Sequence, residues 1–154
     1  MTKVKPTIWV DADACPKIIK EVIFTVSGRL ELKIVLVANM QMHIPLSPHI
    51  SLVKVAQGAD VADHHIAENC LPTDIIITAD IPLAALIVAK GAVAINVRGE
   101  LYTEENIGER LSIRDFMKEV RDSGEKTGGP LPFGPKDKEL FTNSLNRILT
   151  QRLK

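Results

Sequence analysis

Two stretches of this chain share one design, in which an apolar run ends in an aspartate and passes directly into a helical pattern. The first extends from Thr7 to Pro16, and the second extends from Asp74 to Ala84. Both runs are rich in β-branched residues, which favours buried strands, and both continue with apolar residues at helical spacing. The carboxyl ends of parallel strands form the ligand-binding edge of an open α/β sheet. The repeated design therefore predicts such a sheet with acids at that edge.

Strand and helix patterns alternate five times along the chain. The predicted strands cover residues 7–10, 32–38, 50–55, 74–80 and 92–97. The predicted helices run from Pro16 to Ser27-Gly28, across 58–70 and 83–89, from Ser112 to Ser123, and through the C-terminal segment. This alternation predicts an α/β fold of three layers, in which a mostly parallel sheet of about five strands carries helices on both faces.

The chain is predicted to divide into one α/β domain, a linker and a final helix. The domain covers residues 1–123, the Gly/Pro-rich linker covers 124–135, and the amphipathic helix covers 136–154. The apolar face of that helix consists of Phe141, Leu145, Ile148 and Leu149. This face either docks on the same domain or packs against a partner subunit, in which case the protein is a homo-oligomer.

The formal net charge of the 154 residues is zero, so the chain as a whole does not attract nucleic acid. A polyanionic partner must then be held by a local basic patch or by a metal ion. Cys15 and Cys70 form no Cys/His cluster, which argues against zinc and a disulfide framework and favours a reducing cytoplasm. The N-terminal stretch lacks a hydrophobic signal core, and no apolar run reaches membrane-helix length. We therefore expect a cytoplasmic protein with no membrane partner.

Asp11 and Asp13 follow the first predicted strand. In extended chain their Cα atoms are roughly 6.5 to 7 Å apart and their side chains point the same way, so the two acids can share a divalent cation directly or through water. Mg²⁺ and Mn²⁺ prefer such hard oxygen ligands. An alternative for Asp13 is to cap the next helix, whereas an unpaired Asp11 would be costly at a buried strand end. Cys15 is expected to be a buried thiol, because the two carboxylates disfavour a thiolate.

Three further aspartates begin helices. Asp60 and Asp63 lie three residues apart and share one stripe of a first turn; Asp60 is expected to act at least partly as a cap, which leaves Asp63 as a metal ligand or general base. Asp80 ends the second apolar run and repeats the position of Asp11. Its alternative role is to cap the helix that has Pro82 in its first turn.

Four other polar residues are candidate substrate-binding groups near the same edge, namely Asn39, Thr78, Arg98 and Lys126. Arg98 can hold a phosphate or pair with Glu100, and we expect the pairing. Lys126 flanks the Gly/Pro-rich linker, together with Lys136 and Lys138. That segment either closes over the acidic edge and captures phosphate or simply tethers the last helix.

Four motifs in order resemble the YaiI/YqxD family of uncharacterised bacterial proteins, and the resemblance extends over nearly the whole chain. The motifs are Val10–Pro16, Gly58–Asp63, Thr78–Ala84 and Gly128–Pro130. The layout of acids at strand ends is similar to that of the wider PIN-like nuclease group, in which such acids bind Mg²⁺ or Mn²⁺ and cleave RNA. This resemblance implies a PIN-like fold with Asp11 as the first ligand, Asp63 or Asp60 as the helix acid and Asp80 as the later acid. Asp13 lies beyond that pattern, and the helix acid of the group is often Glu rather than Asp.

Three functions are compatible with the sequence. The first is a metal-dependent nuclease acting on RNA, with Asp11, Asp63 and Asp80 in catalysis and with Asp13 and Asp60 as additional metal ligands. The second is a phosphatase similar to the haloacid dehalogenases, which would use Asp11 and Asp13; the chain departs from that pattern at Cys15 and lacks a later Gly-Asp-x-x-x-Asp motif. The third is a non-catalytic binding module whose acids are helix caps.

Overall fold

The computed structural model of the chain describes residues 5–58, 60–122, 124 and 133–153. Its centre is a sheet of six strands in the order β3-β2-β1-β4-β5-β6. The strands are β1 (Ile8–Asp11), β2 (Ile34–Ala38), β3 (Ile50–Lys54), β4 (Ile75–Ile77), β5 (Val93–Ile95) and β6 (Leu101–Tyr102). Strands β1 to β5 are parallel, and β6 pairs antiparallel with β5. The predicted α/β fold is confirmed.

Five α-helices surround the sheet within the described residues. They are α1 (Lys17–Leu30), α2 (Val61–Asn69), α3 (Ile81–Lys90), α4 (Glu104–Asp122) and α5 (Pro135–Arg152). Side chains that alternate along the strands create two cores. Ile34 and Leu36 of β2 belong to the core that α1 and α5 cover, whereas Val35 and Val37 belong to the core that α2 and α3 cover. The sheet is therefore buried on both faces, as its β-branched strands require.

The main differences from the prediction are the end of α1, the start of α4 and an additional strand. Helix α1 continues through Gly28 to Leu30, and its C-cap is Glu31, whose left-handed backbone has φ 53°. Helix α4 begins at Glu104 rather than Ser112, because Thr103 and Asn106 each accept a hydrogen bond from the other's backbone N–H. This reciprocal arrangement is a capping box that the sequence analysis overlooked. Strand β6 is only two residues long, which is too short to produce a periodic pattern.

Asp74 fixes the amino end of β4. Its carboxylate is 3% exposed and accepts hydrogen bonds from the backbone N–H groups of Thr7 at 3.0 Å and Leu71 at 2.9 Å, and from the indole of Trp9 at 3.0 Å. Three donors compensate for the loss of water around a buried charge. Asp74 is therefore a structural acid that ties β1 to β4.

Helix α5 docks on the domain that precedes it. The side chains of Phe141 and Leu145 are fully buried in the same core as β1 and α1. The turn before β6 contacts this helix closely, because a Cβ added at Gly99 would lie 2.6 Å from the carbonyl oxygen of Leu140. The hydroxyl of Ser144 donates a hydrogen bond of 2.6 Å to the Gly99 carbonyl. No helix in the described part of the chain is long and apolar enough to cross a membrane.

We predict that Gly99→Ala destabilises the fold by more than about 2 kcal/mol, since the new methyl group meets backbone atoms and φ is +87°. Urea unfolding measures the change. Gly108→Ala is the matched control, because Gly108 lies inside α4 with nothing within 4 Å of the added Cβ. That control should gain about 0.5 to 1 kcal/mol. Equal effects of the two substitutions would show that the close approach to α5 is unimportant.

Candidate metal centre

Asp60, Asp63 and Asp80 form an acidic triplet in which one carboxylate oxygen of each residue lies within 4.8 Å of the others. Asp60 is exposed, and the other two are half-buried. The triplet lines a cavity of about 200 Å³ that His64 and Arg114 also line. Carboxylate oxygens at this separation can converge on one hard divalent cation.

The elements around the triplet explain its geometry. Asp80 is the N-cap of α3 and accepts a 2.8 Å hydrogen bond from the backbone N–H of Leu83, so its predicted capping role is real and compatible with a place in the triplet. Asp63 lies in the first turn of α2. Asp60 directly precedes α2 with a left-handed backbone, φ 67°, and its side chain makes no capping hydrogen bond. Asp60 is therefore the N-cap residue of α2 through its backbone carbonyl, which accepts a 2.9 Å hydrogen bond from the backbone N–H of His64, but the side-chain cap expected of it is absent.

Thr78 links Asp11 to the triplet. Val10 of β1 pairs with Ile77 of β4, so the residues that follow them, Asp11 and Thr78, lie side by side at the carboxyl edge of the sheet. The Thr78 hydroxyl donates a 3.1 Å hydrogen bond to Asp11 and accepts one of 2.9 Å from the backbone N–H of Asp80. Thr78 is 1% exposed, so this predicted substrate-binding residue holds two aspartates in position instead of facing the solvent.

The clustered carboxylates oppose one another's ionisation. Burial raises the pKa of Asp63 to about 7, and the negative charges of Asp80 and Asp11 add to this effect. Burial also raises the pKa of Asp11; the Thr78 hydrogen bond lowers it, and the charges of Asp80 and Asp13 raise it again. Asp11 therefore lies close enough to interact with two members of the triplet, although it stands beside the triplet and not within it. A bound cation would relieve this repulsion.

Asp13 and Asn39 contact each other at the same edge. Asp13 lies in a short 3₁₀ turn, Ala12–Ala14, and accepts a 2.8 Å hydrogen bond from the backbone N–H of Asn39. The N-cap of α1 is Pro16, so the alternative in which Asp13 caps this helix is wrong; the 3₁₀ turn separates the acid from the helix start. This hydrogen bond connects the segment that follows β2 with the segment that follows β1.

The predicted partner of Arg98 differs in the structure. Arg98 forms a 2.9 Å ion pair with Asp137 at the start of α5, not with Glu100, which pairs instead with Arg110 of α4. The prediction was wrong because α5 brings its own acid to Arg98, an approach that sequence spacing does not reveal. Lys126 lies outside the described residues.

Cys15 is a buried thiol, as predicted, and burial raises its pKa to about 12. A thiolate nucleophile is disfavoured at such a position. His64 and Arg114, in contrast, line the cavity without having been predicted. Arg114 lies more than thirty residues beyond Asp80, and only the packing of α4 on α3 brings it to the triplet.

Comparison with known proteins places this chain in a family. A family model described as "Uncharacterized BCR, YaiI/YqxD family" matches residues 9–151. The chain belongs to the YaiI/YqxD family. This match includes every member of the acidic triplet, together with Asp11 and Thr78.

Curated members of the family are similar along their whole length. A UPF0178 protein of Maridesulfovibrio salexigens is 56% identical over 95% of this chain and 97% of its own. UPF0178 proteins of Shewanella baltica and Trichlorobacter lovleyi are each 55% identical, over 94% and 96% of this chain respectively and 96% of their own. No solved structure matches the chain.

The raised pKa of Asp63 predicts how stability depends on pH without metal. An acid whose folded pKa exceeds its unfolded value stabilises the fold at low pH, and this stabilisation is lost as the pH rises between the two values. For Asp63 this window extends from 3.8 to about 7. In EDTA, Asp63→Asn should therefore gain in thermal midpoint over the wild type as the pH increases, with a constant difference above about pH 7.

The matched control is Asp122→Asn, which removes one carboxylate from the exposed end of α4. The difference in thermal midpoint between this variant and the wild type should not increase across the pH range in which Asp63 titrates. A difference between Asp63→Asn and the wild type that is the same at every pH would contradict the coupling among these acids.

Proposed function

We propose that this protein is a Mg²⁺- or Mn²⁺-dependent nuclease that hydrolyses phosphodiester bonds, with RNA as its substrate. The observation that carries the proposal is the convergence of Asp60, Asp63 and Asp80, each with a carboxylate oxygen within 4.8 Å of the others, beside Asp11. The sequence-based resemblance to the PIN-like nuclease group supports the same chemistry, and a reducing cytoplasm is the expected location.

The donor set fits a hard divalent cation. The triplet supplies only carboxylate oxygens, which Mg²⁺ and Mn²⁺ prefer over nitrogen and sulfur. Burial, and then the charges of Asp80 and Asp11, raise the pKa of Asp63 to about 7, and a bound cation would favour the ionised carboxylate. When bound, a divalent cation would activate water and offset the charge that develops on the phosphate.

The chain's own residues have separate roles in this proposal. Asp60, Asp63 and Asp80 would hold the cation, and Thr78 keeps Asp11 and Asp80 in place through its two hydrogen bonds. Asp11 can accept a proton from attacking water, because its pKa is raised above that of an ordinary aspartate. Arg114 lines the same cavity and provides a cation for a phosphate oxygen.

The two other functions receive less support. A phosphatase would need Asp11 and Asp13 in one site, but Asp13 is bonded to Asn39 and influences the pKa of Asp11 less than Asp80 does. A non-catalytic module, in which the acids are only caps, would explain Asp80 alone, because the side chain of Asp60 makes no capping hydrogen bond. The experiment below separates these functions.

We predict that Mg²⁺ or Mn²⁺ raises the thermal midpoint of the wild type, because a ligand that binds only the folded state stabilises it. Asp80→Asn should abolish this increase and lower the rate of RNA cleavage by about a hundredfold or more. Asparagine caps a helix as well as aspartate does, so this variant removes the charge and retains the cap. Cleavage of a labelled single-stranded RNA, with and without EDTA, measures the rate.

Asp122→Asn is again the matched control and should cleave at the wild-type rate. If Asp80→Asn cleaved RNA at the wild-type rate, the triplet would not be the reactive site. If neither metal raised the thermal midpoint of the wild type or supported RNA cleavage, the result would favour the non-catalytic binding module.

A further inference from the structure

A groove follows α1 on the face of the sheet opposite the acidic triplet. Its widest part is a cavity of about 630 Å³ lined by Lys17, Lys20, Glu21, Phe24, His43 and Pro45. A second cavity of about 360 Å³ lies between α1 and α5, and a third of about 370 Å³ follows it. The first two share Glu21, and the last two share Arg29 and Asn146. The three cavities therefore adjoin one another along α1, and Arg29 donates a 3.3 Å hydrogen bond to Asn146 where the last two meet. Together we call them the α1 groove.

The α1 groove has a local excess of positive charge in a chain whose formal net charge is zero. Four cations line it, namely Lys17, Lys20, Arg29 and Lys138, and Glu21 is the single acid among its lining residues. The Lys20 ammonium lies 3.7 Å from the thioether of Met42, which is a weak acceptor. Such a charge retains its capacity to bind an anion.

The fold itself does not require Lys17 and Lys20. The first turn of α1 contains both lysines and no acidic residue. Cations at this end oppose the helix dipole and cost the helix some stability. A negatively charged ligand in the adjacent cavity of about 630 Å³ would explain why both lysines are present.

The wide end of the α1 groove begins at the sheet edge that bears the acids. Helix α1 follows the Asp11–Pro16 segment directly, and His43 belongs to the loop that follows Asn39. The hydrogen bond between Asp13 and the Asn39 backbone joins these two segments. An extended polymer could thus lie along the groove and cross this edge toward the triplet. Helix α1, with 14 residues, gives the groove a length of about 20 Å.

Phe24 indicates which kind of polyanion fits. Its half-buried ring lines the widest cavity between the lysines and His43. Aromatic side chains stack on unpaired bases, whereas the bases of a duplex are already stacked and inaccessible. A cavity of about 630 Å³ also lies in the size range of sites that enclose small organic groups. Lysines around a ring are the usual components of a single-strand site.

We propose that the α1 groove binds a single-stranded RNA segment, with Lys17 and Lys20 on its phosphates and Phe24 against a base. Its role in presenting a neighbouring phosphodiester to the triplet depends on the proposed nuclease function. The binding itself does not depend on that function, and it requires no metal.

Fluorescence anisotropy with a labelled twelve-nucleotide oligouridine, measured in EDTA, tests the groove directly. The double variant Lys17→Gln/Lys20→Gln should bind about tenfold more weakly, and its log–log salt slope should be shallower by about 1.4, because each single-strand phosphate contact contributes about 0.7. Phe24→Leu should weaken binding and leave the salt slope unchanged, because stacking releases no counterions.

The matched control is Lys90→Gln/Lys118→Gln, which removes the same charge from the end of α3 and from α4, on the other face of the sheet. It should bind as the wild type does. Wild-type affinity of the Lys17→Gln/Lys20→Gln variant, or an equal loss in the control, would overturn the proposal. Equally tight binding of a duplex of the same length would also overturn it, because the ring could not then contact a base.

Asp80→Asn separates this inference from the nuclease proposal. This variant should retain oligouridine binding in EDTA and lose cleavage. Binding through the groove without any cleavage by the wild type would refute the nuclease and leave the groove established. If the wild type cleaved RNA and Lys17→Gln/Lys20→Gln bound oligouridine as tightly as the wild type, the nuclease would be supported and the groove refuted.

Discussion

The parallel pairing of β1 with β4 is the constraint on which the acidic site depends. It brings together two strands that are far apart in sequence and aligns their carboxyl ends, so that Asp11 and Thr78 become neighbours. Thr78 then uses one hydroxyl to hold Asp11 and the backbone of Asp80. Because β1 lies between β2 and β4 in the sheet, a change in its register would disturb both the site and the centre of the core.

Asp74 before β4 and Asp63 in α2 have different surroundings. Asp74 is more deeply buried than Asp80, yet three N–H donors surround its carboxylate. Asp63 is less buried and has acids as neighbours; its partial burial, and then the charges of Asp80 and Asp11, raise its pKa to about 7. Evolved proteins tolerate such repulsion where a bound ligand compensates for it.

Local patterns were sufficient for the fold and insufficient for the site. The apolar runs ending at Asp11 and Asp80 predicted the central parallel strands, because a buried strand needs no information from distant residues to be recognised. The partners of Asp13, Arg98 and Asp60 depended on a 3₁₀ turn, on the docking of α5 and on a left-handed backbone. Arg114 reaches the triplet only through the packing of α4 on α3. None of these arrangements has a periodic signature.

The burial of α5 also has a consequence for synthesis of the chain on the ribosome. Phe141 and Leu145 complete the core that β1 and α1 begin, although more than one hundred residues separate them in the sequence. Until these late residues leave the exit tunnel, the part of this face that α5 covers remains exposed beside α1, while the face covered by α2 and α3 can already close. Early strands with an open apolar face are prone to aggregation, so rapid docking of the last helix protects the nascent protein.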